Sequence, residues 1–120
     1  MHGDMRKAVK IMKAVGDRNR MRIIKLLQHK NGACVCEIQK LLGVGQSTTS
    51  RHLRILEEAE LIYAEREGKW MNFFLNERSG SSEVRSILAM LDKWLKDDRQ
   101  VQMDVKAIKT IDRTVLVQDI

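Results

Sequence analysis

Two helix-patterned segments joined by three small residues fix most of what this chain can fold into. Residues 36–42 (CEIQKLL) place Ile38, Leu41 and Leu42 on one side. Residues 46–60 (QSTTSRHLRILEEAE) place Thr49, Leu53, Leu56 and Ala59 or Glu60 along another, with Ser47 as the expected N-cap. Gly43-Val44-Gly45 between them is a tight link. Two short helices across such a link make a helix-turn-helix.

The flanks narrow the choice. Residues 5–15 carry Met5, Ala8, Val9, Met12 and Val15 at helical spacing, and Gly16 breaks the pattern. Asp17 is a good N-cap for a second helix, DRNRMRIIKLLQHK, with Met21, Ile24 and Leu27 inward. Asn31-Gly32 is a turn. Residues 62–76 (IYAEREGKWMNFFLN) are rich in aromatic and β-prone residues around Glu67-Gly68-Lys69, which predicts a β-hairpin turning there. Val84, Ile87, Leu88, Leu91, Trp94 and Leu95 predict an amphipathic helix over 82–97, which residues 98–109 extend. In the tail, 110–120, the run Val115-Leu116-Val117 reads as a short strand or a frayed end.

Four helices, a hairpin and a helix are the order of a winged helix-turn-helix. The expected fold is mainly α with a β-hairpin wing. One domain spans 1–109, with the helix-turn-helix at 36–60 and the wing at 62–76. The absence of proline permits long helices. A chain of 120 residues buries only a modest core, so a dimer interface would help it.

The formal charge is +6 and unevenly placed. Residues 1–30 hold nine Lys/Arg against two Asp, a net +7; the rest holds thirteen against fourteen acids, a net −1. A basic excess suggests an anionic partner, nucleic acid first. The bland alternative is a solvated lysine-rich face. No apolar run approaches the ~20 residues of a membrane span. The N-terminus MHGDMRKAVK has no apolar signal core, so a cytoplasmic protein is expected.

In a helix-turn-helix the second helix enters the major groove with its N-terminal residues at the base edges. Here those residues are Gln46, Ser47, Thr48, Ser50, Arg51, His52 and Arg54, with helix packing as the alternative for His52. Arg pairs bidentately with guanine, Gln with adenine, and Ser or Thr with either. Thr49 falls on the apolar side. Arg66 and Lys69 on the hairpin would reach the phosphates or the minor groove. Trp70, Phe73 and Phe74 cannot all face one side of a strand, so one of them is part-exposed. The alternative for the fourth helix is an ordinary polar surface helix.

Both cysteines stand in one Cys34-Val35-Cys36. Two helical steps rotate about 200°, so within a helix the thiols diverge; in an extended segment they share a face. They can chelate one ion only where the start of the third helix is unwound. A helix N-terminus favours thiolates, and His29 and Lys30 are near in sequence to help. Three alternatives stay open: two small buried side chains, a redox-sensing disulfide, and a soft-ion site. A closed zinc site would need two further ligands.

These segments together resemble the ArsR family of winged-helix metal-sensing repressors, its arsenical-resistance members in particular. The resemblance covers about residues 8–100. It is carried by VGDRNRMRIIKLL, by ACVCEI (the family's C-V-C-D/E), by GQSTTSRHLRILEEAELI and by EREGKWMNFFL. It implies a homodimer packed through the first and last helices, about 5–15 and 82–100. It implies binding to operator DNA and repression of an arsenic-detoxification operon. It also implies release from that DNA when As(III) or Sb(III) binds Cys34 and Cys36.

One position departs from the family pattern. Relatives often carry a third cysteine where this chain has Gln39. As(III) prefers three thiolates, so either a cellular thiol, a hydroxide or a weaker protein donor would fill the third place, or the affinity is lower. A different inducer, such as Hg(II) or Cd(II), is the alternative, as is gating by thiol oxidation. The Asp/His pairs of zinc-sensing members are absent, since helix 82–97 has Asp92 and Asp97 but no His. A small thiol redox protein or metal carrier would need neither QSTTSRHLR nor a basic hairpin. No nucleophile–base pair, phosphate loop or paired-carboxylate site stands out, so a non-enzyme is expected.

Overall fold

The computed structural model describes residues 4–114; the Val115-Leu116-Val117 run lies outside the described residues. The elements in order are α1 (Met5–Val15), α2 (Arg18–His29), β1 (Ala33–Cys34), α3 (Val35–Leu42), α4 (Gln46–Glu58), β2 (Ile62–Glu67), β3 (Trp70–Leu75), α5 (Ser82–Lys93) and α6 (Arg99–Thr110). The three strands form one antiparallel sheet in the order β1-β3-β2.

Local chemistry sets most boundaries. The Asp17 carboxylate accepts from the backbone N–H groups of Asn19 and Arg20, as its place before the second helix predicts. α3 ends at Gly43, a left-handed residue (φ 70°). Gly32 (φ +99°) does more than turn the chain: a Cβ there would stand 2.9 Å from the Phe74 ring. Its N–H donates to the Phe73 carbonyl, and the Leu75 N–H donates to the Asn31 side chain. The turn is thereby sewn to β3.

The core is built on α2, where Ile23, Ile24, Leu26 and Leu27 are all buried. Ile38, Leu53, Leu56, Leu61, Phe73, Val84 and Leu91 close around it. In the wing, Phe73 is buried while the half-buried Phe74 stacks on Tyr63 at 5.4 Å, so the expected split of the aromatic residues holds.

Several sequence expectations are corrected. α4 begins two residues earlier than its Ser47 cap implies: Gly45 is the N-cap and the Thr49 hydroxyl donates back to the Gly45 carbonyl. The predicted last helix is two helices. α5 stops at Lys93, Leu95 adopts φ 63°, and the Asp98 carboxylate caps α6 through the Val101 N–H. Trp94 and Leu95, expected inward, are 49% and 38% exposed. In α1 the buried residues are Ile11, Ala14 and Val15, whereas Met5, Val9 and Met12 form an outward apolar stripe.

The extra helix α6 is clamped onto the helix-turn-helix. The Arg22 guanidinium donates to both carboxylate oxygens of Asp104 (2.9 and 3.0 Å) and to the Leu41 carbonyl at the end of α3.

Candidate nucleic-acid interface and cysteine site

α4 displays one polar face. Gln46, Ser47, Arg51 and Arg54 are exposed; Thr48 and Ser50 are half-buried. Arg66 and Lys69 are exposed on the wing, where Lys69 lies over the Trp70 ring. The hairpin turns at Gly68 (φ 60°), where its sequence puts the turn. Among the described residues Arg51, Arg54 and Arg66 make no ion pair, which leaves their guanidinium groups free for phosphates and base edges.

His52 does not belong to this face. It is 4% exposed, on the inward side of α4 with Thr49, Leu53 and Leu56. Its Nδ1 stands 3.2 Å from Arg20 Nη1 and 3.9 Å from the Asp17 carboxylate. Burial holds its pKa below the ordinary value of 6.5; Asp17 opposes that shift, and Arg20 and Arg51 add to it. Arg20 also donates to the Ala14 and Lys13 carbonyls at the end of α1. This arginine seats the recognition helix on the α1–α2 corner, and nothing in the sequence singled it out.

Part of the basic excess of the first thirty residues is paired within the protein, while Arg6, Lys10 and Lys13 stay exposed with no ion pair among the described residues. Arg20 holds His52, and Arg22 holds Asp104. Lys25 is buried, its ammonium donating to the Leu91 carbonyl. Lys30 pairs with Glu37, and Lys7 with Glu60. Further exposed cations stand on α4 and the wing, at Arg51, Arg54, Arg66 and Lys69.

The cysteines sit where a strand becomes a helix. Cys34 is both the last residue of β1 and the N-cap of α3, with extended backbone (φ −86°, ψ 166°). Cys36 is the second residue of the helix. Because Cys34 is not helical, the 200° divergence does not arise, and the two Sγ atoms meet at 2.6 Å. Cys34 is buried and Cys36 half-buried, and both are free thiols. A single ion with metal–sulfur bonds of ~2.3 Å in tetrahedral geometry needs its sulfurs ~3.7 Å apart, so the pair must part by about 1 Å to admit one. Among the described residues no three His, Cys, Asp or Glu side chains gather to hold a metal ion. The thiol pair therefore fits two donor places, and Gln39 adds no thiol.

Glu37 organises the site from below. Its fully buried carboxylate accepts from the Cys34 N–H at 2.9 Å and pairs with Lys30. Burial pushes the Glu37 carboxyl up, but Lys30 and the Cys34 N–H outweigh it and hold the group ionised. The expected thiolate does not form at Cys34. Burial first, then the hydrogen bond with Cys36 and the Glu37 charge, push its thiol up to about 12. Lys30 serves Glu37 instead of the cysteines.

A helix-turn-helix with a free basic reading face and a flanking wing is the architecture of a DNA-binding transcription regulator. The model of bacterial regulatory proteins of the arsR family matches residues 17–64. An uncharacterised HTH-type transcriptional regulator of Methanocaldococcus jannaschii is 37% identical over 87 residues, covering 72% of this chain and 93% of the relative. An arsenical resistance operon repressor of Bacillus subtilis is 35% identical over 85 residues, covering 71% and 77%. The chain belongs to the ArsR family of transcriptional regulators. Its fold also matches a homodimeric winged helix-turn-helix DNA-binding domain from Mycobacterium bovis, with TM-score 0.64, 21% identity and coverage of 82% and 94%. These relatives are regulators, not enzymes. Among the described residues no helix is long and apolar enough to cross a membrane.

Proposed function

We propose that this protein is a homodimeric repressor of a metalloid-resistance operon, released from operator DNA when As(III) or Sb(III) binds Cys34 and Cys36. The observation that carries it is the 2.6 Å approach of the two thiols at the first turn of α3, the helix that precedes the recognition helix. Parting the sulfurs around an ion displaces the α3 N-cap, and α3 is joined to α4 by Gly43-Val44-Gly45 and packed with it in one core. A shift passed across it moves Ser50, Arg51 and Arg54 out of register with the bases. The name of the Bacillus subtilis relative supports the inducer class.

Dimerisation is supported by the outward stripe Met5, Val9 and Met12 on α1 and by exposed Met90 and Trp94 at the end of α5. Two recognition helices then address half-sites about one helical turn apart. A cytoplasmic setting keeps both thiols reduced.

The test is fluorescence anisotropy of a labelled duplex from upstream of the protein's own operon, with reduced protein at one stated salt concentration. Tight binding lost on adding arsenite is expected. Binding that arsenite leaves intact, but that mercuric or cadmium ion or peroxide abolishes, reassigns the inducer.

A further inference from the structure

We infer that residues 111–114, just past α6, are a latch between the cysteine pair and the wing, and that Arg113 is the positioning residue of that latch. This deepens the proposed sensing role and rests on it. Arg113 lies on the chain just past α6, yet its guanidinium meets both partners of the switch. Its Nη1 donates to the Asn72 side-chain oxygen at 2.8 Å and lies 3.8 Å from the Glu67 carboxylate. Its Nε lies 3.9 Å from the Glu37 carboxylate. The guanidinium carbon is 5.0 Å from the centre of the Trp70 ring.

Those contacts close a ring. Glu37 holds the Cys34 N–H, and Cys34 is paired with Asn72 in the β1–β3 ladder. Asn72 is buried, receives Arg113 and donates to Glu67 at the wing turn. Cys34, Glu37, Arg113 and Asn72 therefore form a circuit of which one member comes from the end of the chain. When an ion spreads the sulfurs, Glu37 must follow the Cys34 N–H or lose it. Either movement alters the charge that Arg113 faces. Arg113 is the group that converts that change into a displacement of Trp70, Glu67 and the wing beyond the ladder itself.

Trp70 makes the latch observable. In a Trp94→Phe background, which leaves Trp70 as the only indole, its emission reports on the wing. Two probes are used: arsenite, and phenylarsine oxide, which bridges two thiols and loses its oxygen as water. The Trp94→Phe protein is expected to change its Trp70 emission with either probe, and a Cys36→Ser variant with neither. Arg113→Gln in the same background is expected to take up both probes with unchanged affinity but without the emission change. Its arsenite-dependent loss of operator affinity should fall from at least ~10-fold to under ~3-fold. An emission change and release equal to the parent's would overturn the latch. So would loss of probe uptake, because Arg113 would then build the site instead of coupling it. If arsenite leaves the parent on DNA, the proposed function fails, while the phenylarsine oxide arm still decides the latch.

Discussion

Arg20 Nη1 lies 3.2 Å from His52 Nδ1, so a residue of the second helix fixes the recognition helix through its hidden side. The same guanidinium anchors the Ala14 carbonyl at 2.7 Å. Arg20→Ala leaves two part-buried acceptors unpaired and is expected to cost ~1–3 kcal/mol of stability. Operator affinity should fall with it, although Arg20 touches no base. Urea unfolding beside anisotropy checks this; a wild-type midpoint would show that the anchor contributes nothing.

The same contact sets a pH response. His52 is held neutral in the folded protein, below its ordinary value of 6.5, chiefly by burial. The unfolded chain therefore takes up the proton first as pH falls. The His52 contribution is complete above pH 6.5 and is lost progressively below it, down to the folded value. Asp17 is held below its ordinary 3.8 despite burial, by the Arg20 N–H and the Arg20 and His52 charges, so its contribution is lost only at more acid pH. Denaturant unfolding between pH 8 and 5 should show stability falling below 6.5, and His52→Gln should flatten that slope.

The reading face predicts two kinds of DNA variant. Ser50→Ala and Arg51→Ala should each lose ~1–3 kcal/mol, and mostly at one operator position. Arg66→Ala and Lys69→Ala should weaken binding to every sequence alike and each lower the salt slope by about 1. Anisotropy on operator and scrambled duplexes at several salt concentrations separates the two. Uniform losses in all four would remove base reading from α4.

The protonated Cys34 thiol distinguishes inducers by their proton balance. Its pKa of about 12 means the proton is present when a ligand arrives. A divalent cation must expel it, so cadmium uptake should acidify a weakly buffered solution and tighten as pH rises. Arsenous acid carries its own hydroxides, and each As–S bond it forms releases water. Arsenite uptake should leave the pH unchanged. Calorimetry in buffers of different ionisation enthalpy measures the difference. Cys34→Ser should still bind the operator but no longer leave it in arsenite.

Much of this was legible in the sequence, and the misses have physical causes. Asp17, Gly43 and Gly68 acted locally, so their roles could be read from residue type alone. β1 could not: two residues become a strand only because Phe73 and Asn72 lie opposite. The inward turn of His52 was legible, since 49, 52, 53 and 56 follow i, i+3, i+4, i+7. Its polarity argued for the surface, and Arg20 supplied the buried partner that no pattern announces. Trp94 and Leu95 prolonged the apolar rhythm of the last helix, although Asp98 already carried the cap of another. The meeting of the thiols depended on where the helix begins to within one residue, which pattern reading does not resolve.

The clamp between Arg22 and Asp104 has a consequence for synthesis. At ~5–20 residues per second, Asp104 leaves the ribosome roughly 2–9 s after the fourth helix is made. Until then Arg22 holds the Leu41 carbonyl without its carboxylate partner. The nascent protein carries the polar face of α4 early but sets its supporting helix last, so a chain truncated before α6 should be a poor competitor for the operator.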